Sequence, residues 1–483
     1  MCLIFMANFV RRVKMRYNRL FKTTGIYLIG NFASRFLSIF LLPLYTIYLS
    51  PEDFGIVDII ISIVPLIGPV FTLQITDSMF RLMFDYKTYR DRGICISSSL
   101  FILFCGGLSF ALFYFPLSFY YNFRYHISFF IYFICHYLLI FVQKISRGLS
   151  HNVDYAVSGV ISSFVHIGFN ALLIVSLGLG ARGMIIAATI SFVTTTVFLF
   201  IRINLAQYIR VRWIDINEII RQIKYSLPLI PNVICWWVLN VIGKYILLFF
   251  HGEFITGILA VATKLPNFFT SISSVFMLAW EESAIMEYES ELKSCAQYYS
   301  VSFSHFISFI LAILSILLPI TRIYCTYLIG HRYQAAIQYI PLFYYAAGLN
   351  SVAALFGSIY TASKKTKGAF VTTFISSLVC LSAGFIFVPY LRILGVGLAN
   401  ILALTILSTI RFFSVKKIIP ININWGENVC PLLLCLLASL LYYVESMPVQ
   451  VMMILTSVIT IYNRFQTSQW TKVQKMIKDK IRS

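Results

Sequence analysis

Three basic side chains of this sequence occur where hydrocarbon is expected around them. Arg35, Lys244 and Lys264 each lie inside a long apolar stretch. A charged side chain at the centre of a membrane span costs about 2.5–3.5 kcal/mol on insertion scales, so it normally faces a partner or a water-filled cavity. Guanidinium and ammonium groups donate strong hydrogen bonds to phosphate oxygens. The chemistry that these residues indicate is the binding of an anion such as a phosphate.

Asparagines accompany two of these cations at helical spacing. Asn31 precedes Arg35 by four positions, and Asn240 precedes Lys244 by four. Residues four apart share one face of a helix. We therefore predict a cationic, hydrogen-bonding cavity lined by Arg35, Lys264, Lys244, Asn31 and Asn240. The alternative is that Arg35 pairs with a carboxylate and that Lys244 extends to the membrane interface.

A second group of polar residues is a candidate for gating or coupling. Asp77 and Arg81 are four apart, so they form either an i,i+4 ion pair or part of a gate. Asp58 lies near the outer end of the second predicted span. His166 shares a helix face with Asn170, and its alternative role is that of a satisfied packing residue. The sequence has no metal-binding motif, and we expect no catalytic residue and no cofactor.

The elements that must position these residues are membrane-spanning helices. Hydrophobic residues make up 59% and charged residues 12% of the 483, and the mean hydropathy is +0.84. About fourteen apolar stretches of about 20 residues follow one another, and each can cross a bilayer core about 30 Å thick. The sequence therefore predicts an all-α polytopic membrane protein.

The basic residues orient the chain. The net charge is +20, yet most Lys and Arg fall in alternate gaps between the spans. The opposite gaps hold only Arg124, Arg182, Arg322, Arg332 and Arg392. This asymmetry is the positive-inside pattern, which places both termini in the cytoplasm. It accounts for the positive charge without nucleic acid as a partner.

The two halves of the chain resemble each other. The same number of residues separates Asn31 from Glu52 and Asn232 from Glu253. Six spans per half make the halves parallel, and transporters built from such repeats bind substrate between them. We predict two six-helix lobes around a central cavity, followed by two further helices. The predicted regions are a basic N-terminus (1–23), an N-lobe (24–203), a cytoplasmic interlobe loop (204–226), a C-lobe (227–413), helices 13 and 14 (428–463) and a basic tail (464–483).

Four short motifs carry a resemblance to a known family. They follow the first span, follow the second, open the second half and follow the tenth span, at residues 49–55, 77–81, 225–231 and 362–367. In this arrangement the chain resembles the Wzx-like polysaccharide-unit flippases, of O-antigen or capsule type. These belong to the multidrug/oligosaccharidyl-lipid/polysaccharide (MOP) exporter superfamily.

The resemblance implies a function in lipopolysaccharide or capsule biosynthesis. An undecaprenyl-diphosphate-linked oligosaccharide would pass across the bacterial cytoplasmic (inner) membrane by alternating access, with its lipid tail in the bilayer. No Walker A motif is present, so an H⁺ or Na⁺ gradient or substrate supply would drive transport. A polysaccharide polymerase is a candidate partner.

Three alternatives stay open. The first two are related superfamily exporters, a peptidoglycan-precursor flippase and a drug/cation antiporter. The third, an enzyme, is a membrane polysaccharide polymerase or ligase, which typically carries a long external loop. The external gaps here are short, so we expect a transporter and not an enzyme.

Overall fold

The computed structural model describes residues 39–121, 123–288, 292–363, 365–422 and 426–467. Within these ranges the chain is helical and contains no strand. Ten helices are long and apolar enough to cross a membrane, and the shorter apolar helices are Ile39–Tyr48, Asn428–Leu441 and Met447–Thr460. One of the ten, α9, contains two segments that meet at Gly252. The predicted all-α membrane fold with about fourteen spans is therefore confirmed.

The described residues fall into two compact units. One lies within Met1–Lys264 and Thr373–Ala403, and the other within Leu265–Thr372 and Leu404–Ser483. The helices in chain order are α1 (Ile39–Tyr48), α2 (Pro51–Thr72), α3 (Ile75–Leu82), α4 (Tyr89–Tyr120), α5 (His126–Gly148), α6 (Asn152–Asn170), α7 (Gly180–Arg202), α8 (Ile216–Ser226), α9 (Ile230–Tyr288), α10 (Leu292–Leu328), α11 (Ile340–Ala362), α12 (Thr366–Leu391), α13 (Ile393–Ile418), α14 (Gly426–Leu441) and α15 (Met447–Thr467).

The second predicted span is broken near its inner end. α2 begins at a Ser50 cap, whose hydroxyl accepts a hydrogen bond from the Asp53 amide at 3.2 Å. It ends where Leu73 and Gln74 adopt left-handed backbone angles, with φ of 51° and 52°. Non-glycine residues rarely adopt such angles, because Cβ crowds the backbone. The chain changes direction there and continues as the short helix α3.

The cytoplasmic loop predicted at 204–226 is docked on the first unit. It contains α8, which is buried along Glu218, Ile219 and Gln222 and packs on α3 and α4. The buried Ser97 and Ser98 of α4 accept the Arg210 and Asp215 amide hydrogens, each at 3.1 Å. The loop is thus an ordered part of the first unit, held by these hydrogen bonds and contacts.

Aromatic side chains fill the interior of the second unit. The rings of Trp280 and Phe303 are 5.6 Å apart, and those of Phe303 and Phe356 are 5.3 Å apart. The Trp280 indole nitrogen donates to the Ser358 hydroxyl at 2.8 Å. This satisfies the one polar atom of a ring that is otherwise apolar. α14 and α15 pack against α10 in the same unit.

Candidate functional site

One carboxylate in the first unit binds two lysines. The Lys244 ammonium donates to Asp58 Oδ2 at 2.5 Å, and the Lys264 ammonium donates to Asp58 Oδ1 at 3.0 Å. The side chains of Asp58 and Lys244 are only 6% and 14% exposed, whereas that of Lys264 is 39% exposed. Two positive charges therefore share one negative charge, so the cluster has one positive charge in excess.

The two lysines come from antiparallel parts of α9. We name the part before Gly252 α9a (residues 230–251) and the part after it α9b (residues 253–288). A straight helix between Lys244 and Lys264 would separate them by about 30 Å. Both ammonium groups reach the same carboxylate, so the chain reverses at Gly252. That residue has φ 77° and ψ −173°, a combination that essentially only glycine adopts.

Hydrogen bonds join α2 to α9a beyond the ion pair. The Tyr245 hydroxyl donates to the Ile59 carbonyl at 2.9 Å. The Trp237 indole nitrogen donates to the Ser62 carbonyl at 2.7 Å. These bonds hold the α2 turn next to Asp58 against α9a, so the carboxylate has little freedom to move away from Lys244.

α2 and α9b lie side by side with their backbones in contact. A Cβ atom on Gly55 would be 2.6 Å from the Glu253 carbonyl oxygen, and one on Gly257 would be 1.8 Å from that of Pro51. Asp58 follows Pro51 on α2 by the same number of residues as Lys264 follows Gly257 on α9b. The two segments are therefore parallel. Gly55 and Gly257 follow Glu52 and Glu253, which match in the two predicted repeats, by three and four residues, and here the two glycines meet.

A series of side-chain contacts leads from Lys264 to Asn170 within the first unit. The Lys264 ammonium lies 5.6 Å from the centroid of the Phe54 ring, a cation–π contact. Phe54 packs on Tyr45 with ring centroids 5.7 Å apart. The Tyr45 hydroxyl donates to the buried amide oxygen of Asn170 at 3.0 Å. Next to it the helix passes into a π-helical turn, Ala171–Ser176, a distortion often found at functional sites.

His166 lies one turn before Asn170, as its spacing predicts. The Asn170 amide nitrogen donates to the His166 backbone carbonyl at 2.7 Å. The ring atom Nε2 of His166 is buried and has no hydrogen-bond partner in the described part of the chain. His166 is therefore joined through Asn170 to Tyr45.

Asp77 and Arg81 do not pair with each other. Asp77 accepts from the Lys144 ammonium at 2.7 Å and from the Gln74 amide at 2.5 Å. Arg81 pairs with Asp85 at 3.0 Å in an exposed position. Of the two roles considered for Asp77 and Arg81, the i,i+4 ion pair is not formed in the described residues, because Lys144 of α5, which packs against α3, binds Asp77. The partner of Asp77 is therefore set by packing between helices and not by spacing along its own helix. The gate role stays a prediction.

Of the other predicted anion-binding residues, the structure describes Asn240. Asn240 is exposed, and its amide donates to the Trp236 carbonyl of its own helix at 2.8 Å. Asn31 and Arg35 lie outside the described residues. Of the five predicted anion-binding residues, the structure brings together Lys244 and Lys264.

Two buried charged residues were missed by reasoning from the sequence. Glu218 of α8 is 7% exposed and accepts hydrogen bonds from the Tyr86 hydroxyl and, at 2.8 Å, from Gln222. Burial, together with the bond to Glu218, raises the pKa of Tyr86 above its ordinary value. The strongly amphipathic pattern of residues 216–226, with Glu218 on its apolar face, was the available signal.

Arg411, one of the basic residues on the predicted cytoplasmic side, lies inside the second unit. It is 2% exposed. Its guanidinium donates to the Ala353 carbonyl at 2.6 Å and to the Thr372 hydroxyl at 3.2 Å. Gly357 makes room for it, since a Cβ there would be 2.6 Å from Arg411 Nη1. A position just inside the end of an apolar stretch gives no sequence signal that separates a buried arginine from an interfacial one.

Comparisons with known proteins agree with this architecture. The model of a family described as "Polysaccharide biosynthesis protein" matches residues 20–280. No curated protein sequence matches the chain.

Solved structures give the fold. The lipid II flippase MurJ in an inward closed conformation is 15% identical, with a TM-score of 0.65 over 91% of this chain and 99% of that one. An inward-facing MATE family multidrug resistance transporter of the MOP superfamily is 14% identical, with a TM-score of 0.59 over 81% of this chain and 95% of that one. A structure of a MATE family multidrug resistance transporter in an outward-facing conformation gives a TM-score of 0.58 at 14% identity, over 82% of this chain and 94% of that one. The fold is therefore that of the MOP superfamily, as the sequence motifs indicated.

Proposed function

Because this chain belongs to the polysaccharide biosynthesis protein family and has the MOP-superfamily fold, we propose that it is a flippase for undecaprenyl-diphosphate-linked oligosaccharide units. The units, of O-antigen or capsule type, would cross the bacterial cytoplasmic membrane by alternating access between lobes at 24–203 and 227–413. Both termini would lie in the cytoplasm. A polysaccharide polymerase would receive the translocated unit.

The observation that carries the proposal is the charge of the Asp58 cluster. Two ammonium groups share one carboxylate, so the cluster attracts an anion. At an effective dielectric constant near 20, unit charges 4 Å apart interact with about 4 kcal/mol. The diphosphate is the anionic part of the proposed substrate, and Lys264 is the more exposed of the two lysines. We therefore assign head-group contact first to Lys264 and Arg35, then to Lys244, with Asn31 and Asn240 as hydrogen-bonding neighbours.

The same charge argues against an exporter of cationic drugs. Such a transporter needs an acid that is available to a cation inside the bundle. Asp58 is 6% exposed and bound to two lysines, so neither of its carboxylate oxygens is available to bind a cationic drug. Coupling to an H⁺ or Na⁺ gradient is compatible with Asp58, Asp77 or His166 as the responding group.

A peptidoglycan-precursor flippase is the second candidate. It is favoured by the likeness to the lipid II flippase MurJ, which spans more of this chain than the likeness to the MATE transporter does. Lipid II also carries a polyprenyl diphosphate, so the lysine cluster suits either substrate. The two candidate substrates differ in their sugar portion, and the lysine cluster does not distinguish one sugar from another.

Complementation tests the proposal. A bacterium that lacks its own O-unit flippase but still makes the lipid-linked unit would receive the wild-type chain, Arg35→Ala, Lys264→Ala or the control Lys416→Ala, which removes an exposed lysine. We expect surface polysaccharide with the wild type and the control, and its loss with the two site variants at equal membrane abundance. No polysaccharide from an abundant wild type would refute the O-unit function. Rescue of cells depleted of their lipid II flippase would then select the second candidate.

A further inference from the structure

The lysine site proposed for the head group already holds an anion. The Asp58 carboxylate lies between the two ammonium groups and binds one with each oxygen. We infer that Asp58 is a built-in occupant of this site, and that the head-group phosphate displaces it from Lys264 and so releases α9b from α2. The inference rests on the proposed function, since it names the regulation of the same site.

Lys264 is the partner that exchanges. Its side chain is 39% exposed, against 14% for Lys244, and its bond to Asp58 is 3.0 Å against 2.5 Å. The Phe54 ring beside it stabilises the ammonium whichever anion it binds. Lys244 is more buried and its neighbour Tyr245 is bonded to α2. An incoming anion therefore reaches Lys264 first, while Asp58 keeps Lys244.

The exchange is favourable because one anion replaces another. Removing Asp58 without replacement would leave buried charges unpaired, which is strongly destabilising. A diphosphate restores the lost contact and brings more negative charge than a carboxylate. It also meets the net positive charge that the one carboxylate leaves uncompensated. The site is thus closed by its own carboxylate at rest and opened by a more highly charged ligand.

The geometry connects this exchange to a movement. Asp58 joins α2 to both arms of the turn at Gly252, through Lys244 on α9a and Lys264 on α9b. Its neighbours on α2 are also bonded to α9a. The Lys264–Asp58 bond is the ion pair between α2 and α9b, which also meet at the backbone of Pro51, Gly55 and Gly257 and at the cation–π contact of Lys264 with Phe54. Breaking the ion pair weakens the attachment of α9b to a joined α2 and α9a.

Two double variants with the wild-type net charge isolate the effect on binding. Asp58→Asn/Lys244→Gln leaves Lys264 alone in the site, and Asp58→Asn/Lys264→Gln leaves Lys244 alone. Inorganic pyrophosphate would be titrated calorimetrically onto each protein in nanodiscs. We expect the first to bind about tenfold more tightly than the wild type, which corresponds to about 1.4 kcal/mol. The second should bind no more tightly than the wild type.

The outcomes separate this inference from the proposed function. Equal affinities of the wild type and both double variants would overturn the inference, whether or not the wild type rescues surface polysaccharide. The expected order of affinities in a protein that rescues nothing would support the inference and refute the O-unit cargo. Nanodiscs containing polyprenyl diphosphate, titrated likewise, then distinguish a lipid head group from free phosphate as the ligand.

Hydrogen exchange tests the release itself. In the wild type, pyrophosphate should speed backbone exchange in the first turns of α9b, and Asp58→Asn should show the faster exchange without ligand. If Asp58→Asn does not fold, Asp58→Asn/Lys244→Gln serves in its place. Exchange in α9b that is the same with and without pyrophosphate would contradict the release of α9b.

Discussion

Gly257 packs against the backbone of Pro51 with no space for a side chain, since a Cβ on Gly257 would lie 1.8 Å from the Pro51 carbonyl oxygen. The neighbouring atoms are backbone and cannot turn aside. Contacts of this kind let helices approach closely in membranes, where small residues are enriched at interfaces. The pair fixes how near α2 and α9b can come, and hence whether Lys264 reaches Asp58.

Gly257→Ala should separate α2 from α9b. Overpacking typically costs about 1–3 kcal/mol, so we expect a lower unfolding temperature and loss of transport. Gly168→Ala is the matched control, because a Cβ there meets nothing within 4 Å. Wild-type unfolding and transport in Gly257→Ala would show that the two segments are not this close.

Gly252→Ala should destabilise the protein for a different reason. A Cβ there meets nothing within 4 Å, but φ is +77°, so the strain is in the backbone alone. Residues held in such regions cost about 1–3 kcal/mol. Thermal unfolding in detergent measures the loss, again against Gly168→Ala. An unchanged unfolding temperature would mean that the turn adopts another backbone conformation.

Lys244→Gln should destabilise the protein more than Lys264→Gln. Lys244 is the more buried lysine and makes the shorter bond to Asp58, and its loss leaves an oxygen of a buried carboxylate unsatisfied. Such losses cost about 1–3 kcal/mol. Chemical denaturation of both variants gives the order, and Asp58→Asn/Lys244→Gln should recover part of the loss. The reverse order would show that Lys264 is the structural partner.

Tyr86→Phe should loosen the docked interlobe loop. It removes a hydroxyl that donates to the buried Glu218, at a cost of about 1–3 kcal/mol. Tyr120→Phe, at an 82% exposed position, is the control. Proteolysis of the loop at neutral pH is the measurement, and equal cleavage of Tyr86→Phe and wild type would contradict it.

The pH dependence of the loop follows from the same tyrosine. The pKa of Tyr86 is raised from an ordinary value of 10.0. Its contribution to stability is therefore complete below that value and is lost as the pH rises through the raised pKa. We expect cleavage of the wild-type loop to be unchanged through neutral pH and to increase only in strong alkali. An increase near neutral pH would exclude Tyr86 as the cause.

Arg411→Lys should destabilise the second unit. The guanidinium donates in two directions, to Ala353 and Thr372, and a lysine lacks that planar fork. We expect a loss of about 1–3 kcal/mol in the free energy of unfolding. Arg212→Lys, at an exposed position, should have no effect. An Arg411→Lys variant with the wild-type free energy of unfolding would show that only the positive charge matters at this position.

The sequence by itself determined which segments lie in the membrane and which lie in water. Hydropathy requires about fourteen helices, because backbone polar groups in lipid must be satisfied within each segment. The same reasoning identified Lys244 and Lys264 as cations inside spans, and motif order indicated the superfamily. These properties are local, so a single sequence carries them. The lobe boundaries stay a prediction.

Only the tertiary structure decided the partners. Asp58 binds lysines 186 and 206 positions further along the chain. Asp77 binds Lys144 of another helix in place of its helical neighbour Arg81. Helical periodicity gives the face on which a side chain lies but not the helix that this face meets. That choice depends on packing, here on how closely Gly257 lets α9b approach Pro51. The net positive charge at Asp58 is therefore a property of the fold.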